Sequence, residues 1–260
     1  MNKLLILIIA SFLIFSGCEK STEPPSGQGE LRLYLVDSPG DYEEVNIVVK
    51  SVAVHKSDTD TITGWTIINN TPATYDLLKL RNGASAILGT AKLTAGHYTQ
   101  IRLLIDSGST VVVNGISYPL EIPSGMESGL KLTHAFWIES DKLYELTLDF
   151  DANKSIVKQG NNAYKLQPTI RVVANVISGT ISGKVLPLDA NALVQTLVGS
   201  DTVSTLPDTS GNFKLVALPE GTYSIKIIPG NSIYKDTTIN NVSVVKQQDT
   251  NLGTITLQTN

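Results

Sequence analysis

Apolar and polar residues alternate along most of the chain after residue 30, and this period of two limits what the chain can fold into. The clearest run is residues 144–151, where four apolar side chains alternate with four polar ones: Tyr144, Leu146, Leu148 and Phe150 against Glu145, Thr147, Asp149 and Asp151. Successive side chains of a β-strand point to opposite faces of the sheet, so this run predicts a strand with one buried and one solvated face. Such strands are typical of antiparallel sheets.

Seven further runs have a similar strand-like pattern. They are rich in Val, Ile, Thr and Tyr and are bounded by Gly, Pro, Asn and Asp, which favours strands separated by turns. They cover residues 31–36, 45–54, 64–68, 98–105, 111–113, 130–138 and 169–177. Only residues 74–88 leave an alternative, which is a short helix or two turns. The sequence therefore predicts an all-β chain.

The alternating runs become shorter from Ser178 and Gly179 onward. Two predicted turns separate some of these runs. Residues 208–211 begin with an aspartate that can accept hydrogen bonds from the backbone after it and end with a glycine free to take positive φ, and a Pro-x-Gly turn precedes Tyr223. Six or seven short strands in about 80 residues match the size of a small sandwich. We therefore predict two antiparallel β-sandwich domains, over 30–177 and 178–260, the second with seven strands.

The first eighteen residues are typical of an export signal. Lys3 precedes twelve almost wholly apolar residues, and then come Ser16, Gly17 and Cys18. A membrane-spanning helix needs about 20 apolar residues, whereas a run of this length matches the core of a signal peptide. Small residues before a lone cysteine resemble the bacterial lipobox, in which the signal is cut before the cysteine and its thiol is acylated. Phe15 stands where that motif usually has leucine.

The lipobox resemblance implies a signal peptide over 1–17 and lipid attachment at Cys18. Residues 18–29 are rich in Pro, Gly and Ser, which predicts a flexible tether to the folded part. The predicted location is therefore the bacterial cell envelope, with a lipid anchor in the outer membrane favoured over the inner one, facing the periplasm or the cell surface. The alternative is an incidental thiol after an ordinary signal peptide.

Charge and cysteine content exclude several kinds of site. The chain has 20 Lys and Arg against 24 Asp and Glu, so no basic surplus is available to neutralise phosphates, and no nucleic-acid partner is expected. Cys18 is the only cysteine. An intramolecular disulfide and a zinc site built from cysteines are therefore excluded.

Four motifs lie between residues 179 and 260: G-x-V from Gly183, D-x-x-G-x-F from Asp208, L-P-x-G-x-Y from Leu218 and L-G-x-I-x-L from Leu252. Together they resemble the carboxypeptidase regulatory-like domain, a transthyretin-like sandwich of seven strands. This resemblance implies an Ig-like fold for the second domain. It also implies an accessory or spacer role without an active site.

A second set of motifs covers the first domain: L-x-L-x-D-x-P from Leu33, Trp65, D-L-L-x-L from Asp76 with Gly83, L-x-A-G-x-Y-x-Q-I-R-L from Leu93, L-D-F-D-x-x-x-S from Leu148 and Y-x-L-x-P from Tyr164. These motifs resemble an uncharacterised domain of unknown function, of the 4382 type, found in bacterial lipoproteins. That family has no established activity to carry over. The resemblance implies a sandwich here as well.

Two pairs of side chains are candidates for a functional site. Asp149 and Asp151 share one strand face and offer hard oxygen ligands for a calcium ion, although a solvated strand end explains them equally. Trp65 and Trp137 are flat rings that can stack on a sugar, and packing in a core or an interface is the alternative. Trp137 is one residue out of phase with Phe136, so it should face away from the first core.

The three histidines lack metal-ligand spacing, and no nucleophile elbow, phosphate loop or dinucleotide fingerprint occurs. His134 shares a strand face with Leu132 and Phe136, which favours a packed histidine. The sequence thus predicts a non-catalytic binding or scaffolding module that meets the membrane through its lipid and meets an unidentified envelope protein or glycan. No cofactor is expected. A structural calcium ion is the one exception that the residues allow.

Two alternatives remain open. One is a glycan- or peptide-binding component of an uptake or adhesion system. The other is a carboxylate- or metal-dependent hydrolase that uses Asp149 and Asp151, because two carboxyls about 5–5.5 Å apart serve retaining and about 6.5–9.5 Å apart serve inverting glycoside hydrolysis.

Overall fold

The computed structural model describes residues 27–60, 62–123, 128–160 and 163–260, and most of these residues form β-strands. The predicted signal peptide, the lipid site Cys18 and most of the predicted tether lie outside the described residues. Among the described residues, no helix is long and apolar enough to cross a bilayer. The all-β class predicted from the alternation is confirmed.

The first sandwich uses thirteen strands of the described residues. They are β1 (Gln28–Ser38), β2 (Glu44–Lys56), β3 (Trp65–Asn69), β4 (Ala73–Asp76), β5 (Ala86–Thr94), β6 (Gly96–Ile105), β7 (Thr110–Val113), β8 (Ile116–Glu121), β9 (Leu130–Ile138), β10 (Leu143–Asp151), β11 (Ile156–Lys158), β12 (Tyr164–Leu166) and β13 (Ile170–Ala174). One helical turn, α1 (Ala152–Ser155), follows β10, and short 3-10 turns lie at Leu77–Lys79 and Asn175–Ile177.

These strands form two facing sheets. The inner sheet has the order β13-β10-β1-β5, and the large sheet has the order β11-β12-β8-β7-β2-β6-β9 with β3 and β4 also paired to β2. Alternate side chains of both sheets fill the space between them: Leu31, Leu33, Leu146 and Leu148 from the inner sheet meet Val52, Val54, Ile101 and Leu103 from the large sheet. Burial of these side chains is the main force that holds the two sheets together.

The second sandwich has seven strands, as predicted. They are β14 (Ser178–Leu186), β15 (Leu193–Val198), β16 (Asp201–Thr205), β17 (Asn212–Pro219), β18 (Gly221–Ile228), β19 (Thr237–Val244) and β20 (Asp249–Thr256). One sheet has the order β17-β14-β20 and the other β16-β15-β18-β19. Phe213 is 2% exposed at the centre of this second core, which contains no residue of the first core. Independent folding of 178–260 stays a prediction.

Both predicted turns of the second sandwich are present. The Asp208 carboxylate accepts hydrogen bonds from the backbone N–H groups of Ser210 and Asn212, at 2.8 and 2.9 Å, and Gly211 has φ of +86°. These bonds lower the pKa of Asp208, with the Asn212 backbone bond contributing most. The Tyr223 hydroxyl donates to the Pro219 carbonyl at 2.7 Å across the Pro-x-Gly turn.

Strand β10 differs from its prediction in two ways. It runs parallel to β1 and antiparallel to β13, instead of lying between antiparallel neighbours only. Its polar face is not solvated at the end near the second sandwich, where Thr147 and Asp149 are each 7% exposed. Parallel strands are usually covered on both faces, and here the second sandwich covers the outer face. Two further pairs, β8 with β12 and β14 with β20, are also parallel.

Candidate functional site

The two sandwiches are joined through a buried ion pair on the outer face of the inner sheet. Asp149 of β10 lies opposite Arg171 of β13, and one guanidinium nitrogen donates to the Asp149 carboxylate at 2.7 Å. A second nitrogen of Arg171 donates to the backbone carbonyl of Ala217 in β17, also at 2.7 Å. Burial raises the pKa of Asp149, and the adjacent guanidinium opposes that rise. Arg171 thus neutralises a buried carboxylate and binds the second sandwich at once.

The Ala217 carbonyl is turned toward Arg171 by an irregularity in β17. Between the pairs Gly179–Leu218 and Ile181–Leu215 the register shifts, so β17 carries one extra residue there. Ala217 has φ of +54°, which is unusual for a residue with a side chain. Such β-bulges re-aim backbone groups, and this one presents a carbonyl to the guanidinium.

Asp37 lies at the end of β1 beside this ion pair. Its Oδ1 accepts the backbone N–H of Ala152 at 3.0 Å, whereas its Oδ2 is buried without a hydrogen-bond partner in the described part of the chain. Burial raises the pKa of Asp37 to about 9; the charges of Asp149 and Asp151 add to the rise, while the Ala152 bond and Arg81 oppose it. Asp37 is therefore a neutral carboxylic acid at pH 7.

Asp151 is engaged differently from Asp149. Its carboxylate accepts the backbone N–H of Lys154 at 3.0 Å, which caps α1, and it pairs with the Lys154 ammonium at 2.9 Å. Within the described residues, no group of three or more His, Cys, Asp and Glu side chains is placed to hold a metal ion. The calcium hypothesis for Asp149 and Asp151 stays a prediction.

A cleft of about 460 Å³ lies between the sandwiches, and we call it the junction cleft. Its walls come from the outer face of β1 and β10, the loop before β5, the start of β14, β17 and the turn before β20: the lining includes Tyr34, Ser85, Thr147, Asn175, Thr180, Lys214, Gln247, Gln248 and Asp249. Most of these side chains carry hydrogen-bonding groups. The Thr147 hydroxyl donates to Asn175 at 2.6 Å, and Lys214 approaches Asp249 to 3.4 Å.

The two tryptophans lie on the outer face of the large sheet. Trp65 is covered by the Arg102 guanidinium, 4.1 Å from the ring centroid, which is a cation–π contact. Trp137 is 59% exposed and stacks on His97 with the ring centroids 4.8 Å apart, so it faces away from the first core as expected. His134 is half-buried on the opposite face beside Phe136, and burial lowers its pKa.

A second cleft, of about 530 Å³, runs along the outer edge of β9 toward β10. We call it the β9–β10 cleft. Trp137, Leu143 and Val176 line it, and Tyr144 stacks on Phe136 there with centroids 5.6 Å apart. Strand β9 pairs only with β6 among the described residues, so its other edge is open to this cleft.

The model of the family described as Domain of unknown function (DUF4382) matches residues 28–168. No curated protein matches the chain.

Solved structures similar to this chain include a type II cohesin–X-dockerin complex from Acetivibrio cellulolyticus, at 28% identity over 31% of this chain and with a TM-score of 0.25. The chain spans 58% of that matched chain. The minor pilin GBS52 of Streptococcus agalactiae is 14% identical over 90% of this chain and 97% of its own, with a TM-score of 0.26. The shaft pilin spaA of Lactobacillus rhamnosus GG is 8% identical over 91% and 98%, with a TM-score of 0.26. These scores are too low to relate function.

The Arg171 contact makes a prediction about stability. Arg171→Ala should lower the free energy of unfolding by about 3–5 kcal/mol, because it leaves Asp149 as an uncompensated buried charge. Urea unfolding followed by circular dichroism measures the change. Adding Asp149→Asn should recover part of the loss. Lys154→Ala is the control, since it removes a cation that is 46% exposed and should cost no more than about 0.5 kcal/mol. Equal losses for Arg171→Ala and Lys154→Ala would contradict the account.

The raised pKa of Asp37 predicts how the stability of the protein depends on pH. Its folded pKa of about 9 exceeds the ordinary value of 3.8, so between these two values the folded state holds a proton that the unfolded state has lost. The contribution of Asp37 to stability is therefore full below pH 4 and declines as the pH rises toward 9. Asp37→Asn should stabilise the protein at pH 8 by at least about 1 kcal/mol and change little at pH 4.

Urea unfolding at both pH values tests this prediction. Asp58→Asn is the matched control, because the Asp58 side chain is 65% exposed and its substitution should leave the pH dependence unchanged. The same decline with pH in wild type and in Asp37→Asn would show that another group is responsible.

Proposed function

The chain belongs to the DUF4382 family of domains of unknown function, and from its sequence and geometry together we propose that it is a non-catalytic binding or scaffolding module of the bacterial cell envelope, anchored by lipid at Cys18. The observation that carries the binding role is the junction cleft. Its two walls belong to different sandwiches, and Arg171 holds those walls in a fixed relation through Asp149 and Ala217. A preformed cleft binds a ligand at lower entropic cost than one that must close around it.

The size and chemistry of the junction cleft suit a polar ligand. A volume of about 460 Å³ falls in the range usual for ligand pockets. Amides of Gln247 and Gln248, hydroxyls and the Lys214 ammonium offer both donors and acceptors. Burial favours a raised pKa for Asp249, but hydrogen bonds from Ser182 and Thr180 outweigh it and lower that pKa, which keeps the carboxylate ionised beside Lys214.

These features favour a glycan or an extended peptide as the ligand, in an uptake or adhesion system. Both classes of molecule present rows of hydrogen-bonding groups that match amide and hydroxyl side chains. The hydrolase alternative finds less support. Asp149 is held by Arg171 and Asp151 by the α1 backbone and Lys154, so both carboxylates already have partners in the described structure.

The ligand proposal predicts that blocking the junction cleft abolishes binding. Ser85 lines the cleft and is exposed, so Ser85→Trp should fill it without disturbing either core. Calorimetric titration with a panel of envelope glycans and of peptides should find a ligand whose affinity drops at least tenfold in this variant. Ser117→Trp is the control, because Ser117 is exposed on β8 away from the cleft and should bind normally. Unchanged binding by Ser85→Trp, or no ligand in either class, would overturn the proposal.

The anchor predicts a modified N-terminus. In the protein purified from bacterial membranes, intact-mass spectrometry should find a chain that begins at Cys18 and carries acyl groups. Cys18→Ala should abolish the acylation and leave the protein unprocessed or free of the membrane. A free Cys18 thiol in the mature wild-type protein would refute the lipid anchor while leaving the junction-cleft experiment untouched.

A further inference from the structure

The first described residues enter the fold beside the turn that joins β9 to β10. The Gly27 carbonyl accepts the backbone N–H of Ala95 at 2.9 Å, and the Gln28 carbonyl accepts that of Asp141 at 3.0 Å. A Cβ at Gly29 would collide with the carbonyl oxygen of Glu139, so the chain here packs directly on the β9–β10 turn. The segment that precedes Gly27 is therefore attached at this end of the first sandwich.

An exposed apolar patch lies next to that attachment point. Three side chains form it, and we call it the anchor-side patch: Trp137, Leu143 and Val176, which are 59%, 48% and 49% exposed. Trp137, Leu143 and Val176 share the β9–β10 cleft, and Leu143 is the first residue of β10 after the turn. Exposed apolar groups gathered in one place, rather than scattered singly, mark surfaces that contact something else.

The charged side chains that line the β9–β10 cleft are paired. Among the side chains that line the β9–β10 cleft, Glu139 pairs with Lys142, and Glu145 accepts hydrogen bonds from Arg32 at 3.4 Å and from the Tyr34 hydroxyl at 2.8 Å. Lys142 is 68% exposed and offers a cation at the rim. A surface of this kind does not repel lipid phosphates as a row of free carboxylates would.

We propose that the anchor-side patch rests on the surface of the membrane to which the protein is tethered. This inference depends on the proposed lipid anchor at Cys18, nine positions before Gly27. Even fully extended, such a segment spans only about 30 Å, so the bilayer is always within reach of the patch. Tethering at this distance gives the membrane surface an effective concentration in the millimolar range at the patch, and at that concentration even a weak contact between patch and membrane forms.

The composition of the patch agrees with a lipid occupant. Tryptophan is enriched where proteins meet the headgroup region of a bilayer, because its ring is apolar and its N–H is polar. Leu143 and Val176 supply aliphatic groups beside it, and Lys142, which pairs with Glu139, places an exposed ammonium at the rim. A protein partner has no comparable reason to be present at the attachment point, whereas the anchor brings the bilayer there in every molecule.

The two tryptophans provide the experiment, because one lies in the patch and the other does not. The processed chain 18–260 keeps every described residue and has Cys18 as its only cysteine. Its thiol is coupled to a maleimide lipid in vesicles of phosphatidylethanolamine and phosphatidylglycerol, with or without brominated acyl chains. Trp65→Phe leaves Trp137 as the sole tryptophan, and Trp137→Phe leaves Trp65. Trp65 contacts Arg102, which pairs with Lys131 of β9. Lys131 lies six residues before Trp137, so the two tryptophans are about 20 Å apart along β9.

Brominated lipid should quench Trp137 at least twofold and should leave Trp65 unchanged. Leu143→Ser with Val176→Ser, made in the Trp65→Phe background, should abolish the quenching with equal coupling and an unchanged circular dichroism spectrum. Leu197→Ser is the matched control, because Leu197 is 63% exposed on the second sandwich and should leave the quenching intact.

Absent quenching of Trp137 in fully coupled protein, or equal quenching of both tryptophans, would overturn the proposal. A change in Trp137 emission with soluble glycan or peptide, without any with lipid, would do the same and assign the patch to that occupant. Because the lipid is attached chemically, the result does not depend on acylation in cells. A free Cys18 thiol in the native protein would therefore remove the natural anchor without altering this measurement.

Discussion

The Arg171 guanidinium is the contact on which the relation between the two sandwiches depends. One of its nitrogens donates to the Asp149 carboxylate and another to the Ala217 carbonyl, so a single side chain satisfies two buried acceptors from different sandwiches. Its planar fork suits this task, which the single ammonium of a lysine would meet less well. Without Arg171, Asp149 would be left in a low-dielectric environment with no counter-charge, a costly state. Arg171 thus ties the second sandwich to the carboxylate that it neutralises.

Strands β1 and β10 lie between the first core and the second sandwich. They form a parallel pair whose inner faces supply leucines to the first core, while Val36, Thr147 and Asp149 on their outer faces are covered from the other side. A polar outer face then becomes part of an interface, and its polar groups must find partners there. Thr147 finds Asn175, and Asp149 finds Arg171. The junction cleft remains where the two surfaces do not meet.

Periodicity alone predicted most of the strands, because a half-buried strand has apolar residues at every second position. The prediction failed where the alternation of apolar and polar residues is weak. Residues 74–88 were expected to form a short helix or two turns; Leu77–Lys79 is a 3-10 turn, but β4 ends at Asp76 and β5 begins at Ala86. Strand β8 was missed because Pro119 argues against a strand. The parallel pairing of β1 with β10 joins residues more than a hundred positions apart, and no local pattern encodes such a register.

The candidate site was harder to predict for a related reason. Asp149 looks solvated in the sequence because the sandwich that covers it is encoded elsewhere in the chain. A signal was available: Arg171 stands between Ile170 and Val172 in a predicted strand, and a cation within an apolar run often has a buried partner. Nothing in the sequence identifies which carboxylate that partner is. The orientation of Trp137, in contrast, was predictable, because one residue of phase decides which face of a strand a side chain occupies.

The carboxylates at the junction have counter-charges within the chain. Asp37, Asp149 and Asp151 are close enough for their charges to raise the pKa of Asp37, and three unpaired anions there would repel one another. Arg171 neutralises one, Lys154 pairs with another, and a proton neutralises Asp37. A calcium ion would need six or more oxygens and would have to displace both the guanidinium and the proton. In the described arrangement Arg171 and Lys154 are the counter-charges of the junction, and the raised pKa of Asp37 makes the stability of the junction depend on pH.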